Sequence, residues 1–102
     1  MVRKMKAKVK RNLTVAKSAQ FFESPEWRDI RYKALLKYGR RCACCGATPE
    51  TGVILQVDHI KPRSKFPHLA LNIDNLQILC KDCNLGKGAW DKTDFRQLPS
   101  PE

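Results

Sequence analysis

Two Cys-x-x-Cys pairs, Cys42 with Cys45 and Cys80 with Cys83, bracket the middle of a chain of 102 residues. A chain of this size buries only about 60 to 68% of its unfolded surface on folding, so its apolar core is marginal. Four thiolates that close one tetrahedral zinc site supply the stabilisation that such a core lacks. Each Cys-x-x-Cys turn presents two sulfurs to one ion, and Gly46 after Cys45 lets the backbone curl around it. Four sulfurs leave no open position for water, so this zinc is structural and any catalytic metal must be sought elsewhere. A redox pair is the alternative reading of Cys-x-x-Cys, but two pairs in one small basic chain favour zinc. The fifth cysteine, Cys44, is the spare thiol; a swap between Cys44 and Cys45 stays open, although the Cys-x-x-Cys-Gly form favours Cys45. An odd cysteine count argues against a disulfide framework.

Twenty basic residues against ten acidic ones give a formal charge of +10. That balance points to a polyanionic partner, nucleic acid or an anionic membrane surface. No apolar run approaches the roughly 20 residues of a transmembrane helix. The first twenty residues lack the apolar segment of a signal peptide. A soluble, cytoplasmic protein that binds nucleic acid and no membrane is therefore expected. The stretch 1–20 carries Arg3, Lys4, Lys6, Lys8, Lys10, Arg11 and Lys17 and no acid, and reads as a basic, flexible arm; lysine in place of arginine weighs against a transit peptide. Residues 21–97 are expected to form the folded domain and 98–102 a tail.

Within the domain, "SPEWRDIRYKALLKYG" predicts a helix capped by Ser24, with Pro25 in its first turn and Gly39 at its end. Trp27, Ile30, Ala34, Leu35 and Tyr38 fall on one face of it, and Arg28, Arg31, Lys33 and Lys37 on the other. "GVILQVDHI" predicts a strand from about Val53 to His59, closed by Pro62, and "LQILC" a second one. Between them "KPRSKFPHLALNIDN" reads as a loop. "CKDCNLGKGAWDKTDFRQL" reads as a turn entering a helix interrupted by Gly86 and Gly88. The expected class is α+β, in the order helix, zinc turn, strand, loop, strand, helix. Trp90 and Phe95 are expected to pack under the last helix, and His68 to be a bystander.

"VDHIKPRSK", "DNLQILCKDCN" and "LGKG", taken as an ordered set, resemble the HNH endonuclease family within the ββα-metal nucleases, and in particular its small free-standing phage and prophage members. The resemblance spans roughly Phe22 to Arg96. It implies a ββα-metal fold in which His59 is the general base, Asn75 ties the loop in place, Asp58 is a carboxylate metal ligand and Asn84 stands where many members have a second ligating histidine. It also implies a catalytic divalent ion, magnesium or manganese before others, and a terminase as the partner of a phage-encoded version acting in a bacterial host.

The chemistry agrees with that implication. Phosphodiester hydrolysis needs a base to take a proton from water and a cation to stabilise charge on the phosphate. A histidine near its ordinary pKa of about 6.5 is largely neutral at neutral pH. Asp58 and Asn84 offer two hard oxygens, as magnesium prefers. Lys61, Arg63, Lys65, Lys87, Arg28 and Arg31 are the expected contacts to DNA, double-stranded first. A noncatalytic zinc module that binds DNA and an RNA-cutting HNH enzyme are the competing readings. One geometrical difficulty stands: neighbouring strand residues point to opposite faces, yet Asp58 and His59 must serve one centre.

Overall fold

The computed structural model describes residues 7–88 and 91–97. Helix α1 covers Ala7–Ala16 and helix α2 covers Pro25–Tyr38. Strands β1, Leu55–His59, and β2, Leu76–Cys80, pair antiparallel with Asp58 opposite Gln77 and His59 opposite Leu76. Helix α3, Lys81–Lys87, follows β2 directly. Short 3-10 turns at Phe21–Glu23, Pro67–Leu69, Ile73–Asn75 and Phe95–Gln97 punctuate the connections. No described helix is long and apolar enough to cross a membrane.

Helix α2 starts and stops where its sequence dictates. The Ser24 hydroxyl accepts the Trp27 amide hydrogen at 3.1 Å and donates to the Phe21 carbonyl at 2.6 Å, which fixes the helix start against the preceding turn. Such a cap is worth about 1 kcal/mol. Gly39 ends the helix at φ +84°, a conformation that a side chain would strain. The strand is shorter than expected: Val53 and Ile54 lie outside β1, and the Ile54 carbonyl instead accepts from the Lys81 amide at 2.8 Å. Gly86 does not interrupt α3, which ends at Gly88.

The sheet contributes side chains to two cores. Leu76 and Ile78 join Phe21, Trp27 and Ala34 in one cluster, with Leu55 and Val57 packed against it. Leu79 joins Cys42 and Cys80 in the other, with Cys83 and Phe95 against it. On that second face Asn84 and Lys87 of α3 meet Gln56 and Asp58 of β1. The sheet thus lies between α2 and α3. Phe95 packs as expected, and Trp90 lies outside the described residues.

The boundary placed at residue 20 needs correction. Helix α1 forms within the stretch read as a flexible arm, and Val15 and Ala16 are 5% and 2% exposed in the first core cluster. Arg11 pairs with Glu26 of α2 at 2.9 Å, and the Arg63 Nη1 donates to the Ala16 and Ser18 carbonyls at 2.7 and 3.2 Å. Basic residues on one side of a helix do not prevent its other side from being buried.

Candidate functional site

Cys42, Cys45, Cys80 and Cys83 bring their sulfurs within 4.8 Å of one another. Zinc–sulfur bonds of about 2.3 Å at tetrahedral angles put sulfurs about 3.8 Å apart. The Cys45 and Cys80 sulfurs are 3.9 Å apart and the whole set lies within 4.8 Å, so four thiols stand close enough to converge on one structural zinc. Cys44 is outside the set. The turn that carries Cys42 and Cys45 is held to the sheet by the Ala43 amide, which donates to the Ile78 carbonyl at 2.8 Å. Gly46 closes it at φ +80°, where a Cβ would stand 2.9 Å from the Arg41 Nη2. Burial opposes ionisation of the Cys42 thiol, yet the backbone amides of Cys45, Cys80 and Cys44 aimed at its sulfur bring it down from 9.0 to about 7. That favours the thiolate at Cys42, whereas burial and the neighbouring sulfurs push the Cys83 thiol up, so a metal would have to displace that proton.

All five residues of β1 line one cavity of roughly 650 Å³, with Trp27 and Arg31 of α2 on one side and Asn84, Leu85 and Lys87 of α3 on the other. Consecutive strand residues can share a cavity only where it runs along the open edge of the strand. This resolves the alternation difficulty: Asp58 and His59 face opposite sides of the sheet, and the edge cleft reaches both. Both residues are 9% exposed.

His59 is enclosed by aromatic rings. Its imidazole stacks on the Trp27 indole at 4.9 Å and 26°, with Phe21 at 5.7 Å. The His59 Nε2 lies 2.9 Å from the Ala70 carbonyl. A carbonyl can only accept, so the tautomer assigned from this contact has the hydrogen on Nε2 and the lone pair on Nδ1. Burial pushes the His59 pKa below 6.5, against the Ala70 hydrogen bond and the Asp58 charge that raise it.

Asp58 is held on one oxygen. Its Oδ2 accepts from the Gln77 Nε2 at 2.9 Å and pairs with the Lys87 Nζ at 3.1 Å. Among the described residues Oδ1 has no hydrogen-bond partner. The Asn84 Nδ2 donates to the Gln56 Oε1 at 2.7 Å, which leaves its Oδ1 as the donor for a cation. Asn75 staples the loop that follows β1: its Oδ1 accepts from the Lys61 amide at 2.9 Å, and its Nδ2 donates to the Lys61 and Leu69 carbonyls at 3.2 Å.

The candidate DNA contacts divide. Arg28, Arg31, Lys61 and Lys65 are exposed, and Arg31 lines the cleft. Arg63 also lines it, but its Nη1 is engaged by α1. Lys87 requires correction: its side chain is 2% exposed and paired with Asp58, so it cannot reach a phosphate without leaving that partner. His68 is exposed and outside the cleft.

Sequence reasoning missed Trp27 as the platform under His59, the Ala70 carbonyl and Gln77. Gln77 is fully buried; besides holding Asp58, it donates to the Thr93 carbonyl at 3.0 Å and accepts from the Phe95 amide at 2.9 Å. The signal for Gln77 was present, since a glutamine in the apolar run "LQILC" must find partners when buried.

A thiol-clustered antiparallel pair of strands followed at once by a helix, with an acid and an imidazole on the first strand, defines a small ββα unit whose four cysteines could hold a metal. The HNH endonuclease family model matches residues 42–89, just under half of the chain, so that segment is similar to this family, whose members are generally nucleases. The matched segment includes both cysteine pairs, β1, β2 and α3, and leaves α1 and α2 outside. No curated protein and no solved structure matched the chain significantly.

Proposed function

We propose that this protein is a metal-dependent DNA endonuclease that cuts or nicks phosphodiester bonds with water activated by His59. The observation that carries the reading is the convergence of Asp58, His59 and Asn84 on one cleft along the edge of β1. The Ala70 carbonyl holds the imidazole by Nε2, and Nδ1 takes the proton from the attacking water. Enclosure among aromatic rings keeps His59 neutral at physiological pH, as a base must be. A divalent ion bound to Asp58 and Asn84 supplies charge stabilisation at the phosphate and the leaving oxygen, and two hard oxygens favour magnesium or manganese. Asn75 fixes the loop that carries Ala70 and Lys61. Arg28, Arg31, Lys61 and Lys65 engage backbone phosphates, double-stranded DNA being the expected substrate and a phage terminase a possible partner.

The test is nicking of supercoiled plasmid with and without added magnesium. Wild-type protein is expected to cut only with the ion. His59→Ala should lose cleavage while DNA affinity at fixed salt stays within about a few-fold, because phosphate contacts supply most of it. A fully active His59→Ala protein would sink this assignment, and a wild-type protein that binds but never cuts would favour a noncatalytic zinc module. Cleavage of RNA alone would redirect the reading to an RNA-cutting enzyme.

A further inference from the structure

Phe22 is 57% exposed in the turn before α2, on the wall of the cleft that contains His59. A single exposed apolar side chain is ordinary. This one is held in place from several sides. Its ring meets Phe21 edge-on at 5.1 Å and 82°, and Trp27 at 5.5 Å and 83°. The Arg63 guanidinium lies 5.1 Å from its centroid, and the His59 ring 6.3 Å away. The rings and the cation fix the orientation of a half-open aromatic group before any ligand arrives, so little entropy is lost on stacking against it. Leu85, 71% exposed, lines the same cleft from α3.

From this geometry we infer that Phe22 is a specificity-determining residue that stacks a nucleobase of the DNA strand beside the scissile phosphate. The inference rests on the nuclease reading above and extends it to substrate structure. A phosphate presented to His59 carries its neighbouring nucleoside towards the adjacent ring. In an intact duplex the faces of that base are covered by its neighbours, and exposing one costs a few kcal/mol. The cleft therefore prefers DNA whose stacking is already interrupted: single strands, gaps, mismatches and flayed ends. Arg63 reinforces the preference, because its charge polarises the ring that receives the base.

The experiment uses the full zinc-loaded chain and oligonucleotides that carry a fluorescent purine analogue at successive positions, mixed without added magnesium. One position is expected to be quenched on binding, next to the bond that is cut once magnesium is added. Replacing that base by an abasic site should weaken wild-type binding about 5- to 150-fold, the range of base–aromatic stacking. Phe22→Leu should bind intact and abasic strands alike, and Phe22→Trp should restore the discrimination; circular dichroism and zinc content check that both variants fold. If wild type and Phe22→Leu lose the same factor on base removal, Phe22 does not stack a base, and the nuclease reading survives. If the wild type neither binds nor cuts DNA of any form, both readings fall.

Discussion

Lys87 carries its ammonium into the protein interior, where the Asp58 carboxylate and the His59 carbonyl, at 3.1 and 3.3 Å, receive it. Removing one partner of a buried pair leaves the other charge uncompensated, a loss of about 3 to 5 kcal/mol. Lys87→Ala should therefore lower the urea midpoint strongly, while the salt dependence of DNA binding is unchanged. A stable Lys87→Ala protein with a flatter salt slope would restore it as a phosphate contact. Trp27 acts through His59. Trp27→Ala should cost about 3 to 5 kcal/mol as a core truncation. It should also lower kcat in nicking with little effect on KM, and Trp27→Phe should recover much of the rate. A rate that returns to the wild-type value once it is divided by the folded fraction, read by circular dichroism, would mark a general folding defect. The pair Asp58-His59 was legible in the sequence because the two residues are adjacent. Trp27, the Ala70 carbonyl and Gln77 were not, since each reaches the site through tertiary packing and carries no local spacing signal.

At the scale of elements, α2 was readable to its last residue because its cap, its proline and its terminal glycine all agree. Helix α1 was not, because its charges hid a short buried stretch around Val15 and Ala16. Its burial alters what truncation does. Deleting residues 1–20 removes the acceptors of the Arg63 guanidinium along with part of the core, so thermal stability and cleavage should both fall. Deleting residues 1–6 alone should weaken DNA binding with Tm unchanged. Identical Tm values for the two truncations would return α1 to the role of a free arm. The zinc turn makes a sharper demand. Cys42→Ser and Cys80→Ser should lose zinc by elemental analysis and unfold, whereas Cys44→Ser should keep one zinc per chain. Loss of zinc in all three, or its absence from the wild type, would break the four-sulfur assignment.

Across the whole molecule the charge of +10 would, under the proposed function, set how the protein meets DNA. Each phosphate neutralised contributes about 0.9 to the slope of log affinity against log salt on duplex DNA. Arg31 is exposed and lines the cleft, so Arg31→Ala should reduce that slope by about one contact. An unchanged slope would place the DNA track on another face. The long-range arrangement was the least legible part. Alternation along β1 could not say that a cleft runs down its open edge, because that depends on α2 and α3 standing on opposite sides of the sheet.

The ties that frame Asp58 and His59 join separate parts of the chain. Sequence separations are 19 between Asp58 and Gln77, 28 between His59 and Lys87, and 11 between His59 and Ala70. Loops of this length must close before their contacts repay the lost entropy, so they form late. The cysteine cluster is no more local, since Cys45 and Cys80 are 35 residues apart, and an ion bridging them would close that loop and hold β2 and α3 beside the turn. During synthesis the chain cannot finish the support of Asp58 until residues 93–95 have emerged. The support of the cleft is thus completed only when nearly the whole of the described chain is in place.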